Sequence, residues 1–536
     1  MTPGTEPEAN SIPHTIPHAI RRWHALVATR STEGLDALLA DEIVFESPAL
    51  HKPQVGRTLA HSYLAAAMQV LCGEQFRYVN AWYGADSAVL EFETQVEGLK
   101  VEGIDILHWD AADRITRFKV MIRPLKALNT VVAAMANTMG IERPATLTAP
   151  ADPTRPLTGL KVVEFCQIAS GPFGGMLLAD FGADVIKVEP PAGDAMRTWP
   201  PLSNGFSENF ASINRGKRSI ALDLKDPADR DLARALVLEA DVLLENSRPG
   251  AMQRLGLGWD WFSERKPSLV YCSISAFGQD GPRGAEGGFD VTVQAMAGVM
   301  SVTGEPDGAP VKAGVPLADF AAGLYAAYAI AAVIARVRAG GTGAQIDVPM
   351  FATTLAVSAL QTSEYFGTGR DPVKLGSAHP RNAPYQAYRS KDDFFVIAAG
   401  NNKLWGQVCE IVGMPTLRDD PRFTSPTQRA QHQVALRELL EARFIECDAG
   451  DWLARFAAAG VPCAPINRYS QALDDPQTAH LDLVRPMALP GGTLTRTVGS
   501  PIRFDSQAVA IDTRVPALGA DGESIRAAHD IKVSRS

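Results

Sequence analysis

The stretch TLTAPADPTRPLTG at residues 146–159 constrains the fold more than any other part of the chain. Pro150, Pro153 and Pro156 each fix φ and lack an amide hydrogen, so neither a helix nor a central strand runs through it. The chain has 536 residues, more than one hydrophobic core ordinarily holds. The hydrophobic patterning before the break differs in kind from that after it, so two folding units of different class are expected.

Before the break, an amphipathic helix at 19–29 and a shorter one at 34–39 lead into strand-like runs. These lie at 43–46, 76–83, 88–96, 101–109 and 114–122. A few helices followed by a long antiparallel meander make an α+β unit over residues 15–130, with helices covering one face of a curved sheet. Residues 1–14 are polar and proline-bearing, with neither a basic nor an apolar signal region, and read as a disordered leader. Residues 131–158 read as a linker.

After the break, strands and helices alternate. Strands at 160–165, 184–189, 219–224, 241–246 and 269–275 are interleaved with helical segments at 172–183 and 227–240. This alternation specifies a parallel, doubly wound sheet over 159–371. A smaller α/β region is expected at 372–480, from the strand FFVIAAG and the helices NKLWGQVCEIVG and QHQVALRELLEARF. Extended pieces at 481–530 are expected to return to the larger domain.

Composition removes several function classes. Hydrophobic residues at 46% and charged residues at 21% are the balance of a soluble enzyme. A formal net charge of −9 supplies no global attraction for nucleic acid or an anionic membrane, so an anionic ligand needs a local basic patch. Six scattered cysteines without a CxxC pair argue against a zinc site and a disulfide framework, and point to reduced thiols in the cytoplasm. The most apolar stretch, Leu317 to Ile334, contains Asp319 and reads as a buried helix, not a membrane span.

Three segments carry candidate chemistry. GPFGG at 171–175 opens a helix, whose N-terminal amides suit phosphate or a developing oxyanion, although small residues there also serve packing. NRGKRSIALD places Arg215, Lys217 and Arg218 before a strand, and ENSRPGAMQRLGLGW places Asn246, Arg248 and Arg254 after one. The two clusters are expected to share one rim of the sheet and hold a phosphate-bearing ligand. Asp319 starts a long Ala-rich helix, and two roles stay open for it. It can cap the helix, or it can stand ionised as a nucleophile.

Taken in order, VVEFCQIASGPFGGMLLADFGADVIKVEPPAGDAMR, NRGKRSIALDLKDP, DVLLENSRPGAMQRLGLGW, SISAFGQDGP and GVPLADFAAGLYAAYAIAAVIAR resemble the class III CoA-transferase (CaiB/BaiF) family across residues 157–530. The resemblance implies a Rossmann-like large domain, a smaller α/β domain and two chains interlocked as a homodimer. It implies an acyl-CoA and a carboxylic acid as substrates, with no tightly bound cofactor and no metal. It assigns Asp319 as the carboxylate that becomes acylated. It places Lys217, Arg218, Asn246 and Arg254, with the turn residues Ile168 and Ala169, near coenzyme A. Arg197 in GDAMR fits the family pattern without a role. The front region, with segments such as DEIVFESPALHKPQVGR, resembles the SnoaL-like (nuclear-transport-factor-2-like) cone fold over residues 15–130. That resemblance implies a pocket, with Glu46, His51, Asp105 and Arg123 as its candidate groups; the same four also suit a rim or a dimer interface.

There are departures from the family pattern. Ala169 stands where formyl-CoA transferases have a Gln, and their glycine-rich lid has no counterpart between Gly367 and Pro384. APYQAYRS at 383–390 fits the broader family better. Racemases of this fold carry a His before an Asp, where this chain has Phe289 and Asp290. A CoA-dependent lyase, dehydratase or racemase on the same fold, and a bifunctional protein whose front domain binds or isomerises the substrate, stand as alternatives, the racemase disfavoured by the missing His.

Overall fold

The computed structural model describes residues 15–48, 53–139 and 152–533. The leader at 1–14, His51 and residues 140–151 of the expected linker lie outside the described residues. The chain divides into two compact units, 1–146 and 147–536.

In the front unit, α1 (His18–Thr29) buries Ala19, Ile20, Trp23 and Val27, positions that recur along one helical face. After α2 (Leu35–Leu38) come β1 (Leu39–Glu46), β2 (Gln54–Val55), α3 (Arg57–Leu71), β3 (Arg77–Tyr83), β4 (Ser87–Val96), β5 (Leu99–Trp109), β6 (Ile115–Arg123) and α4 (Leu125–Thr138). Period-two alternation turns Ala88, Leu90 and Phe92 of β4, and Val101, Gly103, Asp105, Leu107 and Trp109 of β5, into the core. Gly103 is required there, since a Cβ at that position would lie 2.3 Å from the Phe92 ring.

The sheet order is β2-β1-β6-β5-β4-β3. Only β3 to β6 form the expected antiparallel meander. β1 pairs in parallel with β6, through Leu39–Ile115 and Phe45–Phe118, while α3 carries the chain from β2 at one edge of the sheet to β3 at the other. α3 has no side-chain N-cap, so its start carries no local signal. Residues 131–138 are helical and not linker, with Val131 buried in the core.

The second unit holds a six-stranded, all-parallel sheet. Its spatial order is Lys217–Ala221, β8 (Asp184–Glu189), β7 (Lys161–Phe165), Val242–Glu245, Val270–Ser275 and Ala344–Pro349. In sequence terms this is 3-2-1-4-5-6, the doubly wound order that opens a crevice beyond the carboxyl ends of the first and fourth strands. α5 (Ser170–Asp180) follows β7 out of that crevice. It packs against the long helix Leu317–Arg338 where Gly174 faces Gly323. A Cβ on Gly323 would lie 2.6 Å from the Ser170 carbonyl oxygen, so only glycine lets the two helices start this close together.

Residues 383–463 surround their own core of Tyr388, Phe395, Trp405, Phe444, Trp452 and Phe456, beside a three-stranded antiparallel sheet. The last segment packs on the parallel sheet. The Gly519 amide donates to Ser219 Oγ at 2.9 Å, and Ile525 enters the core beside Ile220.

Candidate active site

The crevice is a cleft of about 630 Å³. The turn after β7 lines it with Gln167, Ile168, Ala169 and Ser170, and the turn after Val242–Glu245 adds Asn246 and Arg248. Gly287, Gly288 and Phe289 form another wall, and Asp319 enters from the start of its long helix.

Asp319 does not cap that helix. The N-cap is Pro316, and Asp319 sits three positions further in, half-buried and with no side-chain hydrogen bond among the described residues. The capping task falls to Asp290, whose Oδ1 accepts the Ala318 amide at 2.9 Å. Gln294 completes the arrangement by donating to Asp290 Oδ2 at 2.7 Å and accepting the Ala313 amide at 2.9 Å. Asp319 is therefore left free to face the cleft. Burial, then the neighbouring Asp290 charge, push its pKa up to about 7.

The two basic clusters do not share a rim. In a parallel sheet, residues before a strand and residues after a strand fall at opposite edges. Lys217 and Arg218 open their strand in register with Val185 and Ile186, near the amino end of β8, whereas Asn246 and Arg248 follow the carboxyl end of theirs. Arg218 pairs with Asp184 away from the cleft. Lys217 is buried beneath α5, where its Nζ meets Glu164 Oε2 at 2.8 Å, the Pro172 carbonyl at 2.8 Å and Asn214 Oδ1 at 2.9 Å. Burial pulls its pKa down to about 8, against the attraction of Glu164. Neither residue is available to hold a phosphate in the cleft.

Asn246 does line the cleft, yet both ends of its amide serve the turn. Oδ1 accepts the Gln167 amide at 2.9 Å, and Nδ2 donates to the Gln167 carbonyl at 2.8 Å. Arg254 is exposed on the short helix Ala251–Arg254 and does not line the cleft. Arg197, without a role in sequence, makes a two-point pair with Glu189 at 2.7 Å and lies 3.8 Å over the Phe210 ring. Its part is structural.

The cation that does line the cleft is Arg248, which lies across Gly287, where a Cβ would stand 3.2 Å from its Nε. The Gly287–Gly288 pair ahead of Asp290 was the sequence signal for this wall. It could not be placed beside Asp319 without the tertiary fold.

In the front unit, Asp105 is the one of the three candidates among the described residues that lines the internal cavity. Glu46 pairs with Arg117 and Lys119, and Arg123 pairs with Glu102, all as surface ion pairs. Trp23 Nε1 donates to Tyr78 Oη at 2.8 Å, and Tyr78 donates to Asp105 Oδ2 at 2.9 Å. The cavity measures about 50 Å³ and is lined mainly by apolar and aromatic side chains, Trp23, Phe45, Phe92 and Phe118 among them. Burial pushes the Asp105 pKa up to about 7, against the Tyr78 hydrogen bond. A carboxyl raised in this way stabilises the fold fully below about pH 4, and that contribution is lost as pH rises through about 7. Asp105→Asn should flatten the slope, which amounts to about 4 kcal/mol in all; urea titrations of the front-unit transition from pH 4 to 8 read it directly.

Comparison with known proteins identifies the families of both units. The profile of CoA-transferase family III matches residues 157–522, and that of the SnoaL-like domain matches residues 20–118. The chain belongs to CoA-transferase family III and is an enzyme of that class. It is 37% identical to the succinate–glutarate CoA-transferase of Agrobacterium fabrum (strain C58 / ATCC 33970), over 68% of this chain and 93% of that one. It is 39% identical to the acetyl-CoA:oxalate CoA-transferase of Acetobacter aceti, over 67% and 92%. Among solved structures, a CaiB/BaiF family protein from Brucella suis is 40% identical, with a TM-score of 0.63 over 70% of this chain and 99% of that one.

Proposed function

We propose that the enzyme moves coenzyme A from an acyl-CoA donor to a carboxylic acid through covalent intermediates on Asp319. The observation that carries this reading is a carboxylate relieved of helix capping and set free in the crevice at the strand-order reversal. The Asp319 carboxylate attacks the donor thioester carbonyl and expels CoA thiolate, leaving a mixed anhydride. The thiolate attacks the aspartyl carbonyl, releases the donor acid and forms an aspartyl-CoA thioester. The acceptor carboxylate attacks that thioester and expels the thiolate again, giving a second anhydride. The thiolate then takes the acceptor acyl group and restores Asp319 as a carboxylate. Each exchange replaces one difficult step with two easier ones. Arg248 is the group in the cleft suited to the anionic parts of coenzyme A.

The test is mass-spectrometric mapping after incubation with a panel of acyl-CoA donors and hydroxylamine. The expected result is donor-dependent modification of Asp319. Turnover without modification there overturns the reading. Only ionised Asp319 attacks, so the rate of modification should climb as pH rises through about 7 and level above it. Asp290→Asn removes the repelling charge and should move that rise to lower pH, as stopped-time labelling across pH 5–9 would record.

The homodimer is part of the same proposal. Leu324 and Tyr328 on the long helix, and Leu360 and Phe366 on helix Ala359–Thr368, stand exposed, Tyr328 at 72% and Phe366 at 81%. A second copy of the chain is the occupant proposed for these exposed apolar side chains. Light scattering should return twice 57.4 kDa; a monomer mass overturns it.

A further inference from the structure

The turn that forms one wall of the cleft is held by side chains from other elements at successive backbone groups. The Cys166 carbonyl accepts Lys187 Nζ at 2.7 Å, and Gln167 is held at both its amide and its carbonyl by Asn246. The Ile168 amide donates to Asp194 Oδ1 at 3.1 Å. Lys187, fully buried, also meets Asp194 Oδ2 at 3.0 Å and Glu164 Oε1 at 3.1 Å. With Lys217 on the same Glu164, two cations and two carboxylates balance under the turn.

What they hold is an unfavourable backbone. Ile168 has φ of 67°, and of the eight non-glycine residues with positive φ among the described residues it is the β-branched one. Glycine would adopt this conformation without strain and without a clamp. An isoleucine held there by a buried ion pair displays an apolar side chain on the cleft wall that a glycine could not supply.

We propose that Asp194 is a positioning residue: its carboxylate, anchored by Lys187, pins the Ile168 amide and keeps the cleft wall in the conformation the reaction requires. This inference rests on the transferase reading of Asp319.

A double-mutant cycle tests it. Asp194→Asn should lower kcat about 30-fold or more when residue 168 is Ile, and about threefold or less in an Ile168→Gly background, because glycine needs no pinning. Asp194→Glu, which keeps the buried charge while displacing the acceptor, should follow the same pattern and serves if the Asn variant does not fold. Equal losses in both backgrounds would mean that Asp194 only stabilises the fold, and would overturn the proposal. Amide exchange at Gln167 gives a readout independent of turnover. It should quicken about tenfold in Asp194→Glu alone and stay near its starting rate when Asp194→Glu is combined with Ile168→Gly. Unchanged exchange in both backgrounds overturns the clamp even if the wild type transfers CoA. Wild-type turnover without labelling of Asp319 overturns the transferase reading, while the exchange data still judge the clamp.

Discussion

Asp319→Asn is expected to lower CoA transfer by about 10⁴-fold or more, the largest effect of any single substitution in the chain. Two features make the loss this large. Asn is a poor nucleophile toward a thioester, and the covalent route closes entirely when the carboxylate is gone. The fold should be indifferent to the change, because the Asp319 carboxylate makes no hydrogen bond among the described residues and the helix start is already capped by Asp290. Replacing a half-buried carboxyl repelled by Asp290 with a neutral amide removes an unfavourable charge, so stability should hold or rise. Steady-state transfer and urea unfolding, measured on one preparation, separate these effects. Activity within about tenfold of wild type would remove Asp319 from the mechanism.

Lys217→Met is expected to cost about 3–5 kcal/mol of stability, the largest structural effect among these substitutions. The substitution leaves the Pro172 carbonyl and Asn214 Oδ1 without their donor, and leaves Glu164 to Lys187 alone in a site closed to water. Arg218→Ala, by contrast, breaks an exposed pair with Asp184 and should cost about 1 kcal/mol or less. Neither change removes a group from the cleft. Arg248→Ala does, and should raise KM for the CoA donor about tenfold while leaving unfolding nearly unaltered. Denaturant midpoints together with donor KM values for the three variants check the assignment. A rise in KM with Lys217→Met and none with Arg248→Ala would return the phosphate role to the strand-opening cluster.

The contrast between Lys217 and Arg248 shows where reading the sequence stops. Both belong to short basic runs beside a strand, and local composition makes them equally suited to phosphate. Their difference follows from strand direction, which places one run at the amino edge of the sheet and the other at the carboxyl edge. Glu164, the buried carboxylate that pairs with Lys217, is 53 residues away. No local pattern announces such a pair. Asp290 is similar. Its sequence neighbours mark the start of its own helix, and nothing in them shows that it caps another helix 28 residues on.

What the sequence by itself determined was the division at the proline-rich break and the class of each unit, and it singled out Asp319 as the candidate nucleophile. Each rests on local or periodic information. Proline removes donors, strand–helix alternation requires a parallel sheet, and the motif around Asp319 is contiguous. The tertiary structure alone decided that Asp319 is free of its helix cap, that Lys217 is a core ion, and that Ile168 is held in a left-handed conformation. It also decided that β1 runs parallel to β6. All four depend on contacts between residues far apart in the chain, and on burial, which sets whether a charge meets water or a partner.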